Sequence, residues 1–277
     1  MALQHKTRPL VNLGAPFFDC QSLKPMVDIV VLCVFAFAAG LIDAAVGGGG
    51  LIQIPALFNV LPASPPAALL GTNKVASACG TAFAARSFVR KVVIDWGLVV
   101  PAACAAFAMA FVGAATVSLV PQGLMRPAVL VLIVLMAIYT FWKKDFGALH
   151  KPMRIGTREK LLAIVIGGAI GFYDGLFGPG TGSFLIFLFI RCFAFDFLHA
   201  SASAKLVNIA TNVAALMFFI PTGNVLYLIA IPMAAFNILG ALTGTWLAVR
   251  KGVPFVRALF LVLLLILIGK LSYDLLV

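Results

Sequence analysis

Two lysines and two aspartates lie in otherwise apolar stretches of this 277-residue chain. Lys74 and Lys205 are 131 positions apart, and the same distance separates Asp43 from Asp174. Ionisable side chains at membrane depth are costly, and by default they mark a substrate or ion pathway. Their chemistry is ion pairing, anion binding and proton transfer, and the spacing indicates that each half of the chain contributes one lysine and one acid.

Each aspartate precedes a glycine-rich stretch by four residues. Asp43 is followed by Gly47-Gly48-Gly49-Gly50, and Asp174 is followed by Gly178-Pro179-Gly180-Thr181-Gly182. A helix that starts after such glycines presents free amide N–H groups and the positive end of its dipole, and glycine lets an anion approach the backbone closely. We therefore predict two halves of one anion site. Close helix packing through small residues is the alternative explanation.

Polar side chains follow each lysine at three and seven residues, on the same face of a helix. They are Ser77 and Thr81 after Lys74, and Asn208 and Asn212 after Lys205. The helix of Lys74 is expected to begin near Ser64 as its N-cap, which places the lysine roughly 12 Å along it, near mid-membrane. The predicted substrate-binding residues are Gly47, Gly48, Gly49, Gly50, Lys74, Ser77, Gly178, Gly180, Thr181, Gly182, Lys205, Asn208 and Asn212.

Asp43 and Asp174 have three candidate roles: proton relay, pairing with the lysines, or capping of the glycine turns. Proton coupling or ion pairing is favoured over capping. For the lysines, the alternative to substrate binding is an ion pair with these acids that only holds the halves together. No catalytic residue is predicted, and the five cysteines show no CxxC or Cys/His spacing. We therefore expect no disulfide, no metal and no cofactor.

The composition is that of a membrane protein. Hydrophobic residues make up 63% of the chain and charged residues only 10%, whereas soluble domains are about half apolar and a quarter charged. The apolar segments are long and do not alternate, so helices are the spanning elements of an all-α polytopic protein. The net charge is +11, and the basic residues lie mostly in short connections between apolar runs. This is typical of topology signals in a bilayer and does not indicate a nucleic-acid partner.

The apolar runs form two groups of five. They fall at 26–46, 51–62, 67–90, 97–120 and 124–142 and then at 161–177, 182–195, 199–220, 224–248 and 254–276. The predicted organisation is an N-terminal tail at 1–25, a first repeat at 26–142, a basic cytoplasmic linker at 143–160 and a second repeat at 161–277. Translation from Met26 is an alternative start for the chain.

The repeat is supported by scarce residue types, because a shift of 131 also aligns Pro101 with Pro232. The loop at 86–95 holds three basic residues, and its counterpart at 217–226 holds none. Near 249–257 and 118–126 the asymmetry is reversed. Because cytoplasmic loops are enriched in Lys and Arg, equivalent loops are predicted on opposite sides of the membrane. The halves then form an inverted repeat, with both termini outside.

The run at 51–62 is too short to span a bilayer. Twelve helical residues extend roughly 18 Å, against a hydrocarbon core of about 30 Å. Together with the preceding helix it predicts a broken or re-entrant helix hairpin, and the second half offers the same. Discontinuous helices at matching positions of two repeats are typical of transporter binding sites.

The motifs resemble those of a known family. Gly40-Leu41-Ile42-Asp43 with the first glycine stretch, then Gly71-Thr72-Asn73-Lys74, is similar to the first half of the TauE/SafE sulfite and sulfonate exporters; the second glycine stretch, then Ser203-Ala204-Lys205 and Asn208, is similar to the second half. The resemblance implies secondary transport of small sulfur-containing anions such as sulfite, sulfoacetate or taurine-type sulfonates across the bacterial inner membrane.

Three functions compete. The leading hypothesis is a secondary transporter working by alternating access, with proton coupling as an option and a small anion as the substrate. A passive anion channel is the alternative, and it would carry current without uphill accumulation. An intramembrane enzyme using Ser183 or the aspartates is least favoured, because no buried histidine is expected as a partner for Ser183 and each aspartate is matched by one in the other repeat.

Overall fold

The computed structural model describes residues 20–121, parts of 123–135 and residues 156–251, with side chains from residue 26 onward. Within these ranges the chain is helical and contains no strand, which confirms the all-α fold class. The helices are α1 (Cys20–Val46), α2 (Gly50–Val60), α3 (Pro66–Val89), α4 (Trp96–Thr116), α5 (Thr157–Leu176), α6 (Thr181–Phe193), α7 (Phe197–Phe219) and α8 (Tyr227–Lys251). A 3-10 turn, Val117–Leu119, continues α4.

Four segments of the described helices are long and apolar enough to cross a membrane. They are Met26–Val46, Trp96–Leu119, Phe197–Phe219 and Tyr227–Ala248. The apolar run at 254–276, part of the run at 124–142, most of the tail at 1–25 and most of the linker at 143–160 lie outside the described residues. Helix α1 begins at Cys20, within the predicted tail, and α5 begins at Thr157, within the predicted linker.

The two halves fold into the same order of helices. The starts of α2, α3 and α4 at Gly50, Pro66 and Trp96 recur 131 residues later as the starts of α6, α7 and α8. In each half a long helix is followed by a short one and then by two long ones. The capping residues at the helix starts differ between the halves.

The expected N-cap of α3 is one such difference, and the expectation was wrong. Pro65 is the N-cap residue, with no side-chain capping bond. The amide of Ser64 instead donates to the carbonyl oxygen of Leu61 in the preceding turn. By contrast, the carboxylate of Asp196 caps α7 by accepting from the amide of His199.

The halves are joined by pairs of helices in which a helix of one half packs against a helix of the other. Helix α1 packs against α8 of the other half, and α4 packs against α5. Glycines make these approaches close: Gly167, Gly171 and Gly175 of α5 lie against backbone carbonyls of α4, and a Cβ at any of them would overlap those atoms. For these three glycines of α5, close helix packing is a sufficient explanation, as it is for small residues in other membrane helices.

The short helices α2 and α6 are the elements that position the site. They have 11 and 13 residues, or roughly 16 and 20 Å of length, less than the hydrocarbon core of about 30 Å. Every residue of α2 from Leu51 to Phe58 is buried. Protein therefore surrounds this helix, and its N-terminal end lies inside the molecule.

Candidate functional site

Both glycine stretches turn the chain from a long helix into a short one. Gly47 and Gly178, equivalent in the repeat, have φ angles of +79° and +88°. The left-handed region is open to glycine at no steric cost and is unfavourable for other residues. The amide of Gly47 donates to the carbonyl oxygen of Asp43 at 2.9 Å, and that of Gly178 donates to Tyr173 at 3.3 Å, so each turn closes the preceding helix.

The two turns touch each other across the repeats. The amide of Ser183 donates to the carbonyl oxygen of Gly47 at 2.9 Å, and its hydroxyl donates to the carbonyl oxygen of Val46 at 2.7 Å. A Cβ on Gly47 would overlap the backbone of Gly182, and a Cβ on Gly182 would meet the backbone of Gly47 at 2.6 to 3.0 Å. Backbone contact of this kind brings the N-terminal ends of α2 and α6 to one place.

Each lysine forms an ion pair with the aspartate of the other half. The Nζ of Lys74 lies 2.7 Å from Oδ2 of Asp174, and the Nζ of Lys205 lies 3.3 Å from Oδ2 of Asp43. Both lysines are buried, with 2% and 3% of their surface exposed. Buried charges are stable only when they are paired, so each half requires the other to balance its lysine.

The surroundings of the two pairs differ. Oδ1 of Asp174 accepts a 2.7 Å hydrogen bond from the hydroxyl of Thr181. Oδ2 of Asp43 accepts a longer bond, 3.3 Å, from the hydroxyl of Thr81. The ammonium of Lys205 also donates to the backbone oxygen of Asp43 at 2.7 Å. The two pairs are therefore equivalent in sequence and unequal in geometry.

A small polar cavity lies between the pairs. Its volume of about 10 Å³ accommodates roughly one water molecule. The first residue of α2 and the first two residues of α6 contribute to its wall, so two positive helix ends face the same space. The lining residues are Asp43, Gly47, Gly50, Asn73, Lys74, Ser77, Asp174, Gly178, Gly180, Thr181, Gly182, Asn208 and Asn212.

Most of the residues predicted from the sequence meet at this cavity, and three do not line it: Gly48, Gly49 and Lys205. Gly49 instead packs against α1, where a Cβ would lie 2.7 Å from the carbonyl oxygen of Ala39. Lys205 lies behind Asp43, with its Nζ 5.9 Å from the centre of the Phe88 ring.

One lining residue, Asn73, was absent from the predicted site. Its side chain is 3% exposed, and its Oδ1 has no hydrogen-bond partner among the described residues. A buried amide oxygen without a partner is costly. Because Asn73 directly precedes Lys74, helix periodicity placed it about 100° from the lysine face. Its position inside Gly71-Thr72-Asn73-Lys74 was the available signal.

Side chains that are able to donate hydrogen bonds form much of the neutral part of the wall: three asparagines, Ser77 and Thr181. The amide of Asn212 donates to Oδ1 of Asn208 at 2.7 Å, so these two side chains form one unit on α7. Together with the ammonium of Lys74 and two helix N-terminal ends, they suit an anion. The two carboxylates keep the paired site neutral.

Comparison of the sequence with known protein families identifies the family of this chain. Residues 32–271 match the family described as sulfite exporter TauE/SafE. The chain belongs to the TauE/SafE sulfite exporter family. The resemblance inferred from the glycine and lysine motifs is thus confirmed, and the TauE/SafE match covers both cavity-forming halves.

The chain is also similar to curated proteins from three bacteria. It is 34% identical to "Probable membrane transporter protein ORF9" of a Sinorhizobium species over 89% of this chain and 93% of that protein. It is 32% identical to "Probable membrane transporter protein YfcA" of Escherichia coli K12, over 88% and 89%. It is 31% identical to a "Probable membrane transporter protein" of Haemophilus influenzae, over 88% and 94%. No solved structure matches the chain.

These findings establish the general class. This TauE/SafE protein is a membrane transporter and a multi-pass protein of the bacterial inner membrane. The cavity between its halves, which is polar and lies among apolar helices, is the candidate transport site.

Proposed function

We propose that the protein is a secondary transporter of small sulfur-containing anions, sulfonates and sulfite-like ions. The observation that carries the proposal is the meeting of Lys74 with the N-terminal ends of α2 and α6 at one buried cavity. A helix N-terminus and an ammonium both favour negative charge. Three asparagines line the same space and offer amide donors from α3 and α7.

Sulfonate geometry suits donors arranged on several sides. A sulfonate spreads one negative charge over three oxygens, each of which accepts hydrogen bonds. Lys74 lines the cavity from α3, Asn208 and Asn212 line it from α7, and the first residues of α2 and α6 complete the wall. The family description as sulfite exporters supports the same chemical class.

We propose alternating access as the mode of transport. The cavity accommodates roughly one water, so a sulfonate requires the halves to move apart around it. The contacts that must yield are those that cross between the repeats, such as Lys74 with Asp174. Each of two inverted repeats, 26–142 and 161–277, would contain a re-entrant hairpin of two helices joined by a glycine turn. Movement of the repeats would open the cavity to one side of the membrane and then to the other.

An enzymatic role has a specific observation against it. The hydroxyl of Ser183, the serine considered as a nucleophile, donates to the carbonyl oxygen of Val46. That bond uses the hydroxyl to connect the glycine turns, and Ser183 does not line the cavity. We therefore propose transport without a chemical step.

Reconstitution into proteoliposomes tests the proposal. Labelled taurine, sulfoacetate and sulfite are offered with and without a proton gradient, and chloride and acetate serve as controls. We expect saturable uptake of one or more of the sulfur anions and uphill accumulation when a gradient is present. Conductance without accumulation would support the channel instead, and absence of any sulfur-anion flux in either direction would reject the proposed substrate class.

A further inference from the structure

The charges around the cavity are balanced before any anion arrives. Two ammonium groups, Lys74 and Lys205, face two carboxylates, Asp43 and Asp174. In the described part of the chain, α2 carries no titratable side chain, and the residues of α6 and α7 that line the cavity are Thr181, Gly182 and two asparagines. Helix α8 contributes no lining residue. A monoanion entering this space therefore adds one uncompensated buried charge, which is strongly unfavourable.

The two carboxylates are unequally held. Asp174 lies 2.7 Å from Lys74 and accepts a 2.7 Å bond from Thr181, and its side chain is 3% exposed. The carboxylate of Asp43 has both of its contacts, to Lys205 and Thr81, at 3.3 Å, and its side chain is 16% exposed. The carboxylate of Asp43 is therefore more accessible to water than that of Asp174. Neutralising it weakens two contacts of 3.3 Å, whereas neutralising Asp174 weakens two contacts of 2.7 Å.

The two lysines differ in the contacts that remain when the paired aspartate is neutralised. Lys205 retains the backbone oxygen of Asp43 at 2.7 Å, in the last turn of α1, where the helix dipole is negative and favours a cation. Its ammonium also lies 5.9 Å from the centre of the Phe88 ring, within the range of a cation–π contact. Among the described residues the structure gives Lys74 no partner besides Asp174. Neutralising Asp43 therefore leaves the ammonium of Lys205 with a backbone acceptor and an aromatic ring, whereas neutralising Asp174 removes the one protein partner that the described residues give Lys74.

We propose that Asp43 takes up one proton when a monoanion binds at Lys74, while Asp174 stays ionised. The proton passes from a hydronium ion in the connected aqueous phase to a carboxylate oxygen of Asp43, giving a neutral carboxylic acid and water. The site then holds two ammonium groups, one carboxylate and one anion, so its net charge does not change. Anion and proton cross together at a ratio of one to one. The inference rests on the proposed function.

Methanesulfonate is the probe, because a sulfonate stays fully ionised over the pH range of the measurement. Its affinity for purified full-length protein is measured by calorimetry from mildly acidic to mildly alkaline pH. Since binding takes up a proton, wild-type affinity should fall with rising pH, by up to about tenfold per unit. Asp43→Asn imitates the protonated acid, and its affinity should stay at the acidic wild-type value throughout. A wild-type slope that persists in Asp43→Asn overturns the proposal.

Infrared difference spectra identify which acid is protonated. Adding methanesulfonate to the wild type should produce the carbonyl band of a protonated carboxylic acid. Asp43→Glu should shift that band, and the matched Asp174→Glu should leave it in place. A shift in Asp174→Glu alone, or no band, overturns the assignment. If the wild type binds no methanesulfonate, sulfite or taurine at any pH, it is the proposed function that fails, and the two failures are thereby distinguished.

Discussion

Ser183 and Gly47 are joined by a 2.9 Å backbone hydrogen bond that connects the glycine turns of the two halves. The bond requires the turns to approach at backbone distance, and only residues without a Cβ allow this at Gly47 and Gly182. It places the starts of both short helices at the cavity. The first prediction concerns this contact.

Gly47→Ala should destabilise the protein by about 3 kcal/mol or more. A positive φ costs an alanine about 1–2 kcal/mol, and the overlap with Gly182 adds to it. Gly223→Ala is the matched control, because Gly223 has a φ of +71° and nothing within 4 Å of an added Cβ. Its loss should stay at about 1–2 kcal/mol. Unfolding in detergent measures both, and equal losses would show that the inter-turn contact is unimportant.

Lys74→Met should abolish sulfonate transport and also lower stability, by about 3–5 kcal/mol, because it leaves the buried carboxylate of Asp174 unpaired. The double variant Lys74→Met with Asp174→Asn removes both charges and should regain much of that stability. Its transport should remain absent. Proteoliposome flux and thermal unfolding are compared for the three proteins. Transport by the double variant at the wild-type rate would mean that Lys74 does not contact the substrate.

Asn73→Ala should weaken sulfonate binding by about 10- to 100-fold, the effect of one hydrogen bond donated by the amide nitrogen to a charged group. Stability should change little, since Oδ1 of Asn73 has no partner among the described residues. Asn237→Ala is the control. The amide of Asn237 is buried and donates to Gln53 and to the carbonyl oxygen of Ala36, so this variant should lose stability and keep its affinity. The reverse pattern would remove Asn73 from the site.

Lys91→Cys and Thr222→Cys test the inverted topology. The two positions are equivalent in the repeat and both are exposed. In a background without native cysteines, a membrane-impermeant maleimide should label position 91 from the cytoplasmic side and position 222 from the outside. Inside-out and right-side-out vesicles provide the comparison. Labelling of both from one side would contradict inversion.

Much of the architecture was predictable because its determinants are local. The run expected at 67–90 is Pro66–Val89 in the structure, and the run at 182–195 is Thr181–Phe193. Apolar length, proline and glycine mark such boundaries within a few residues of the chain. The start of α3 was less well predicted, since Ser64 was expected as the N-cap and Pro65 occupies that position. A turn bond to Leu61 uses the Ser64 amide instead.

The site was predictable in composition and less so in arrangement. Buried charges stand out in an apolar sequence, and this indicated Lys74 and Asp174. Asn73 did not stand out, because its importance comes from the wall it shares with α7. The position of Lys205 outside the cavity wall was equally unpredictable, since Lys74 occupies the equivalent position of the other repeat and does line the cavity.

The sequence by itself determined the membrane class, the repeat and most of the polar and charged residues that line the cavity. These depend on hydrophobicity and periodicity, which are properties of short segments. Only the tertiary structure decided that Lys74 pairs with Asp174 and Lys205 with Asp43, and that the two pairs differ in distance and exposure. Pairing across 100 or more residues depends on how α1 and α5 pack against the opposite half. The energy of a buried charge is set by that packing, because a low-dielectric interior makes small differences in distance count.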